Sequence, residues 1–293
     1  MDNKATYARL LAVPAIWGGT FIAGRIVALA LPATVAAALR FVIASVALLV
    51  MVRILEGGLP RLDRRQVLAT LLLGATGVFA YNLFFLGALS RLPASRTSLI
   101  IALNPIVTIA VDTLLSPAEK LGPKRWLGVG LALFGVWIVI ARGDLLAAAG
   151  SPIGTGELLM FGGVCAWTVY TLIGRHVLAG LSPLGATTWA ALWGTLLLIV
   201  VAAFDWRGVD SDAFTLPVVS SLVYLGVLGT AVAFVWYYRA VKALGAARTV
   251  IFNNLVPVFG ATFGVLLLGE PVSPSLIVGG VIALSGVMLV TRP

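Results

Sequence analysis

Few residues in this sequence have side chains that do chemistry, and the sets that an enzyme needs are missing. The 293 residues include one Cys and one His, and we find no metal-spaced Cys/His set, no H-E-x-x-H run and no G-x-S-x-G elbow. A Walker A run is also missing, so ATP does not drive this chain directly. His176 follows Arg175 near a predicted helix end, where an interfacial position is favoured over a proton relay. The sequence therefore predicts no enzyme, no cofactor and no metal site.

Two tryptophans lie near the middle of apolar runs, away from the headgroup belts where Trp is usually enriched. Residues three and four apart share a face of a helix. The two faces consist of Trp17, Thr20, Phe21 and Gly24, and of Trp167, Tyr170, Thr171 and Gly174. We predict a paired aromatic wall across a substrate cavity. The alternative is helix packing against the small residues Gly18, Gly19 and Ala23.

Tyrosine and amide side chains form a second set within the apolar runs. They are Tyr81, Asn82, Asn104 before Pro105, and Asn253 and Asn254 before Pro257. A proline inside a helix removes one backbone donor and frees a carbonyl, so we predict helix breaks or hinges at both prolines. An Asn beside such a break either repairs the helix or faces a water-filled cavity where it contacts substrate. Both interpretations stay open.

Arg40 is the one basic residue well inside an apolar run. A charge at the centre of a membrane helix costs about 2.5–3.5 kcal/mol on insertion scales, so a partner is expected. The side chain either has a structural role, snorkelling to the outer surface or bonding helix-end carbonyls, or it contacts a substrate carboxylate.

Three acidic residues bear on ion coupling and helix capping. Asp112 lies toward the cytoplasmic end of its apolar run, where pairing with Lys120 or Lys124 is favoured over proton coupling. Glu119 and Glu270 fall in predicted loops, where capping of the helices that follow is the simplest role.

The elements that position these residues follow from composition. Hydrophobic residues make up 60% of the chain and charged residues 11%, whereas soluble domains carry about 25% charged residues. Continuous apolar runs exclude a barrel and predict an all-α membrane protein with ten transmembrane helices. The runs lie near residues 9–30, 33–53, 66–89, 94–115, 123–141, 156–178, 183–204, 215–241, 246–268 and 273–291. Near the end of the eighth run, Trp236, Tyr237 and Tyr238 are predicted to anchor it in the headgroup region.

The basic residues predict the orientation in the membrane. The net charge of +9 would point to nucleic acid in a soluble protein, but here the charges stand between apolar runs. If the N-terminus is cytoplasmic, fourteen basic residues fall on the inner side and five on the outer side. Basic residues in short loops set orientation. We therefore predict cytoplasmic N- and C-termini and no nucleic-acid partner.

The chain repeats itself at an offset of about 150 residues. The recurring pairs include Trp17/Trp167, Gly24/Gly174, Arg25/Arg175, Pro105/Pro257, Gly128/Gly279 and Gly135/Gly286. This predicts two five-helix repeats, residues 1–146 and 147–293. Because five is odd, the repeats are expected to be inverted relative to each other, as in many secondary transporters whose substrate site lies near the membrane midplane.

The family resemblance rests on four motifs. They are Trp17-Gly18-Gly19-Thr20-Phe21, Leu39-Arg40-Phe41, the prolines Pro105 and Pro257, and Gly269-Glu270-Pro271. Together with the duplicated ten-helix layout, they resemble the EamA-type transporters of the drug/metabolite transporter superfamily over essentially the whole chain. Within that family, the sequence is most similar to bacterial exporters of aromatic amino acids.

The resemblance implies that helices 1, 3, 4, 6, 8 and 9 surround a central cavity, with helices 5 and 10 at the periphery. The lining residues that it implies are Trp17, Tyr81, Asn82, Asn104, Trp167 and Asn253. Two departures from the family pattern indicate that the halves are not interchangeable: the second half has Trp167-Thr168-Val169 in place of Trp-Gly-Gly, and it lacks a second Arg-Phe pair. Spans 1 and 6 also lack the acidic core residue of small cation exporters, which disfavours proton/cation antiport.

We therefore expect a secondary-type transporter in the bacterial inner membrane that exports small amphiphilic metabolites, foremost aromatic or other bulky apolar amino acids, by alternating access. The alternatives are an exporter of other drugs or metabolites, such as quaternary amines or nucleosides, and a channel-like permease. The expected partners are the small-molecule substrate and the lipid bilayer, with no obligate protein partner. The predicted substrate-binding residues are Trp17, Thr20, Tyr81, Asn82, Asn104, Trp167, Tyr170, Thr171, Asn253 and Asn254.

Overall fold

The helices follow the predicted apolar runs. The computed structural model describes residues 3–115, 122–141, 153–177, 180–244 and 251–291, and these ranges contain helices and no strand. The helices are α1 (Asn3–Ala30), α2 (Ala33–Glu56), α3 (Arg64–Leu89), α4 (Ala94–Ile101 and Asn104–Leu115), α5 (Pro123–Ile140), α6 (Thr155–Val177), α7 (Pro183–Asp205), α8 (216–244), α9 (251–268) and α10 (Pro274–Thr291). Within the described ranges, eight segments are long and apolar enough to cross a membrane, and α9 and α10 contain shorter apolar helices. The predicted all-helical fold is thereby confirmed for this part of the chain.

Local sequence sets where the helices begin and end. Asp63 and Gln66 form a capping box at the start of α3, in which each backbone N–H donates to the other residue's side chain, at 2.8 and 3.0 Å. The Ser182 hydroxyl caps α7 by accepting from the Gly185 N–H at 2.9 Å. Gly57 ends α2 with a φ of 81°, which glycine adopts without strain.

α3 and α8 each contain a π-helical stretch. The stretches are Gly74–Ala80 in α3 and Tyr224–Val232 in α8. Residues 226–232 lie 152 positions after residues 74–80, which is an offset at which the sequence repeats. π-Helices are rare and occur frequently at functional sites, so the residues around both stretches are candidates for the substrate site.

Small residues let α5 and α10 approach each other closely. Gly128 faces Gly286 and Gly135 faces Gly279, and a Cβ added to Gly128 or Gly135 would lie 2.8 or 2.5 Å from the facing carbonyl oxygen. The contact is reciprocal, because Gly279 and Gly286 are the residues at which Gly128 and Gly135 recur.

A similar reciprocity relates the contacts of four helices nearer the predicted site. Gly226 of α8 lies against the Arg40 carbonyl of α2, and Gly74 of α3 lies against the Ala190 carbonyl of α7. Gly226 follows Gly74 by 152 positions, and Ala190 follows Arg40 by 150. The second contact is therefore the first one with each partner replaced by its equivalent in the other half of the chain.

Hydrogen bonds join several helix ends at one end of the bundle. The Arg25 side chain donates to the Leu89 carbonyl, which connects the ends of α1 and α3. The Glu270 carboxylate accepts from the backbone of Ala94 at the start of α4. We call this the hairpin end, and we call the opposite end, where the described chain starts and finishes, the terminal end.

Candidate substrate site

Trp17 belongs to an aromatic cluster between α1 and α8. Its indole N–H donates to the Gly229 carbonyl at 3.0 Å, within the π-helical stretch of α8. Its ring packs against Phe234 and Tyr237, with centroids 5.7 and 5.5 Å away. Tyr237 is half-buried at the end of a candidate membrane span, and its anchoring in the headgroup region stays a prediction. The side chain of Tyr238 lies outside the described residues.

Trp167 belongs to a second aromatic cluster, between α6 and α3. Its ring centroid lies 5.1 Å from that of Tyr81 and 5.1 Å from that of Tyr170. The Tyr81 ring in turn stacks on Phe85 with an interplanar angle of 13°. Four aromatic rings from two helices thus form a continuous apolar surface.

The two clusters occupy equivalent positions of the repeat. The Tyr170 ring packs on Gly77 in the π-helical stretch of α3, and the Thr20 methyl packs on Gly229 in that of α8. Thr20 and Tyr170 stand 150 positions apart, and Gly77 and Gly229 stand 152 positions apart, so the two contacts are equivalent in the repeat. Among the described ring contacts, none joins the two tryptophans, so they belong to separate clusters.

The hydroxyls of Thr20 and Thr171 are bonded within their own helices. Thr20 Oγ1 donates to the Trp17 carbonyl at 2.5 Å, and Thr171 Oγ1 donates to the Trp167 carbonyl at 2.8 Å. Each hydroxyl proton is therefore already used, and only the oxygen lone pairs remain for a substrate.

Arg40 is buried, with 7% of its surface exposed. Nη1 donates to Asn82 Oδ1 at 2.7 Å, and the guanidinium lies 5.2 and 5.9 Å from the ring centroids of Phe41 and Phe85. Both predicted structural partners are wrong: the side chain does not snorkel, and it bonds a side-chain amide instead of a helix-end carbonyl. The physical reason is that Asn82 of α3 offers an oxygen within reach inside the bundle.

Asn82 is held so that its oxygen faces Arg40. It is 1% exposed, and its Nδ2 donates to the Val78 carbonyl at 2.7 Å, one turn earlier in α3. Arg40 Nε is fully buried and has no hydrogen-bond partner. No carboxylate of the described chain forms an ion pair with Arg40. Within the described residues, the hydrogen-bond and ring contacts of this buried cation are thus one neutral oxygen and two ring faces, and Tyr81 lies close enough to interact with it electrostatically.

Helical geometry is interrupted just before Pro105 and Pro257. α4 breaks at residues 102–103, and α9 begins with the 3₁₀ turn Ile251–Leu255. Each proline is the second residue of the α-helix that follows, where its missing N–H removes no intrahelical hydrogen bond.

The amides beside these interruptions do not repair them with their oxygens. Asn104 Oδ1 and Asn253 Oδ1 are buried and accept no hydrogen bond. Asn254 is buried as well. Buried acceptors normally have a partner, so the first two oxygens are open to a water molecule or a substrate donor.

Glu270 caps α4, and its predicted capping of α10 is wrong. The carboxylate accepts from the backbone N–H groups of Ala94 and Ser95 at 2.6 and 2.9 Å. The physical reason is that α4 follows Pro93, which provides no side-chain cap, and leaves these N–H groups open. The predictions for Glu119 and for the Asp112–Lys120 pair involve residues 116–121, outside the described residues. The alternative pairing of Asp112 with Lys124 stays a prediction, and Asp112 itself is half-buried.

A buried ion pair at the hairpin end was missed by the sequence predictions. Arg96 Nη2 lies 2.7 Å from Glu157 Oε1, and the same nitrogen donates to the Ile140 carbonyl at 2.5 Å. The pair links the starts of α4 and α6 with the end of α5. The available signal was the acidic residue in the first turn of an apolar helix, where the helix dipole favours negative charge.

Three comparisons with known proteins cover nearly the whole chain. The model of the EamA-like transporter family matches residues 6–141 and 154–292. The uncharacterized transporter YyaM of Bacillus subtilis (strain 168) is 28% identical over 98% of this chain and 94% of its own length. A probable terminal-alkyne amino-acid exporter of Streptantibioticus cattleyicolor is 27% identical over 99% of this chain and 94% of its own length. A solved crystal structure with 20% identity matches with a TM-score of 0.66 over 98% of both chains, a likeness of fold alone.

Proposed function

Because the chain belongs to the EamA-like transporter family, we propose that this membrane transporter exports small amphiphilic metabolites, foremost aromatic and other bulky apolar amino acids. One relative is named a probable terminal-alkyne amino-acid exporter, which supports this substrate class. The observation that carries the proposal is the contact sequence Arg40–Phe85–Tyr81–Trp167, in which a buried cation adjoins a surface of stacked rings.

The two sides of the site suit the two parts of an amphiphile. The clusters around Trp17 and Trp167 contact its apolar part. The open oxygens of Asn104 and Asn253 accept hydrogen bonds from its polar end. The buried cation disfavours quaternary amines as substrates, because like charges repel strongly where water is excluded.

Transport proceeds by alternating access between two inverted halves. Reciprocal contacts such as Gly128–Gly286 and Gly135–Gly279 support a two-fold relation between the halves. Arg25 lies at the hairpin end. Position 175, at which it recurs, lies two residues before the end of α6 at Val177, toward the terminal end. Two similar halves can exchange conformations at little cost in free energy, which gives two states of opposite access.

The contacts at the hairpin end close one side of the substrate pathway. Glu270 of the second half caps α4 of the first, and Glu157 of the second half pairs with Arg96 of the first. With both termini in the cytoplasm, the hairpin end faces the outside, and this conformation is closed there. Release of substrate requires both contacts to separate.

Transport by the purified protein in liposomes tests the function. We expect saturable uptake of phenylalanine, tryptophan, leucine and methionine, and no uptake of choline. Protein that elutes as a folded species but moves none of these amino acids would contradict the proposal. Flux that rises linearly with concentration would favour a channel-like permease.

A further inference from the structure

We propose that Arg40 and Asn82 form a carboxylate-binding subsite, so that recognition by this protein requires an anionic carboxylate on the substrate. The inference deepens the proposed function and rests on it for the location of the site. It is narrower than the proposed transport of amphiphiles, because it specifies the substrate group that is bound and the side chain that binds it.

The first argument is the unbalanced charge of Arg40. A guanidinium stays protonated in proteins, and a buried cation is stable only with an opposite charge or with hydrogen bonds that satisfy its donors. Arg40 is 7% exposed, and its single hydrogen bond among the described residues goes to the neutral Asn82. A carboxylate is the ligand that completes such a site.

The second argument is that the edge of the guanidinium suited to a carboxylate has no hydrogen-bond partner. Arginine binds carboxylates most strongly through two parallel N–H···O bonds, and one edge suited to this consists of Nε and Nη2. Asn82 occupies Nη1, on the other side. Nε is buried without a partner, and Nη2 makes no hydrogen bond with a described residue. The edge that a carboxylate uses is therefore the edge that has no hydrogen-bond partner among the described residues.

The third argument is that Asn82 and the rings hold the guanidinium in place. The Asn82 amide is fixed by the Val78 carbonyl, so its oxygen cannot turn away from Arg40. Phe41 and Phe85 contribute ring faces at 5.2 and 5.9 Å, which attract a cation without neutralising it. A guanidinium held in this way loses little conformational entropy when a ligand binds.

The fourth argument is that helix packing does not need the Arg40 side chain. In the repeat, position 40 recurs at 190, which is Ala. The backbone carbonyls of Arg40 and Ala190 pack against Gly226 and Gly74 in the same way. The charge is thus present at only one of two equivalent packing positions, and only one half carries the subsite.

Four probes that share a phenyl ring and differ in their carboxyl and amine groups test the subsite by their binding to the purified full-length protein. Phenylalanine and 3-phenylpropionate carry the carboxylate, whereas phenylalaninamide and 2-phenylethylamine lack it. We expect the two acids to bind at least about tenfold more tightly than the other two, as for loss of a charge-assisted hydrogen bond. Equal binding of the acids and the amide would overturn the subsite, while the proposed transport of amphiphiles would stand.

Two arginine variants test whether binding of the carboxylate depends on Arg40. Arg40→Gln should weaken binding of 3-phenylpropionate at least about tenfold. The control is Arg25→Gln, which changes an arginine bonded to a backbone carbonyl at the hairpin end. Its affinity for 3-phenylpropionate should stay within about twofold of that of the unaltered protein. Unchanged acid binding by folded Arg40→Gln would overturn the proposal.

A second variant keeps the test valid if Arg40→Gln does not fold. Asn82→Asp places a carboxylate beside Nη1 and so supplies the missing opposite charge from within the chain. We expect this variant to bind 3-phenylpropionate at least about tenfold more weakly than the unaltered protein, because its own carboxylate occupies the cation. Unchanged acid binding by the folded variant would overturn the proposal. If the acids bind but nothing is transported, the subsite stands and the proposed function fails.

Discussion

Ser45 of α2 and Thr195 of α7 share a buried hydrogen bond of 2.9 Å, and they stand 150 positions apart in the sequence. The same offset relates Trp17 to Trp167, so the two partners are equivalent positions of the repeat. Equivalent residues that contact each other lie at a two-fold axis. The bond thus marks the place where an axis between inverted halves would pass, close to Arg40 on α2.

Replacing either cluster tryptophan by Ala should slow transport. Trp17→Ala and Trp167→Ala each remove ring contacts to the proposed site, and we expect transport efficiency to fall about fivefold, as for the loss of about 1 kcal/mol of aromatic contact. Uptake of phenylalanine in liposomes measures the effect. Trp126→Ala is the matched control, because Trp126 is 56% exposed on α5. Equal rates in all three variants would remove both tryptophans from the site.

Removing the charge of Glu270 should loosen the hairpin end. Glu270→Gln weakens two hydrogen bonds to the start of α4, and we expect a loss of about 1 kcal/mol of stability together with faster labelling of a buried probe, Ser98→Cys, in a Cys165→Ala background. Glu56→Gln is the control, since Glu56 accepts from Ser182 at the terminal end. Labelling that is equally fast in both variants would argue against closure by Glu270.

The buried pair Arg96–Glu157 should show strong coupling in a double-mutant cycle. Arg96→Met or Glu157→Gln alone leaves a buried partner without its ion pair, which typically costs about 3–5 kcal/mol. The double variant should be less destabilised than the sum of the two single variants. Thermal unfolding in detergent measures all four proteins, and additive effects would show that the pair is not coupled.

The contact between α5 and α10 should tolerate no added side chain. A Cβ at position 135 would lie 2.3 Å from the backbone nitrogen of Ala283. We expect Gly135→Ala to destabilise the protein by about 1–3 kcal/mol through overpacking. Gly130→Ala, on the same helix with nothing within 4 Å, should be neutral or stabilising. A similar unfolding temperature for both variants would contradict the described packing.

The sequence was sufficient to predict the helices but not their contacts. Apolar runs give the helices because membrane segments must satisfy their backbone groups internally. The sequence predicts functional roles for both Arg40 and Asn82 but not their pairing, because the two residues stand 42 positions apart on different helices and meet only through the packing of these helices. The prediction for Glu270 is wrong for the same reason: it considers only the helix that follows, whereas α4, which is distant in sequence, has N–H groups within reach.

The repeat offset also relates residues of the two aromatic clusters. At the offset of 152, Phe85 recurs as Tyr237, and these residues pack in the two aromatic clusters. The offset therefore relates Tyr237 of the first cluster to a residue of the second cluster. Phe234, by contrast, recurs from Asn82 and shares no chemistry with it, so only the fold identifies it.

Counterflow in liposomes tests the central claim, transport by alternating access, most directly. Proteoliposomes loaded with unlabelled phenylalanine are diluted into a trace of labelled phenylalanine, and uptake of label is followed over time. A carrier that exposes one site alternately to each side accumulates label transiently above its external concentration, and we predict this overshoot. Uptake that never exceeds equilibration, and that does not depend on the internal load, would contradict the account.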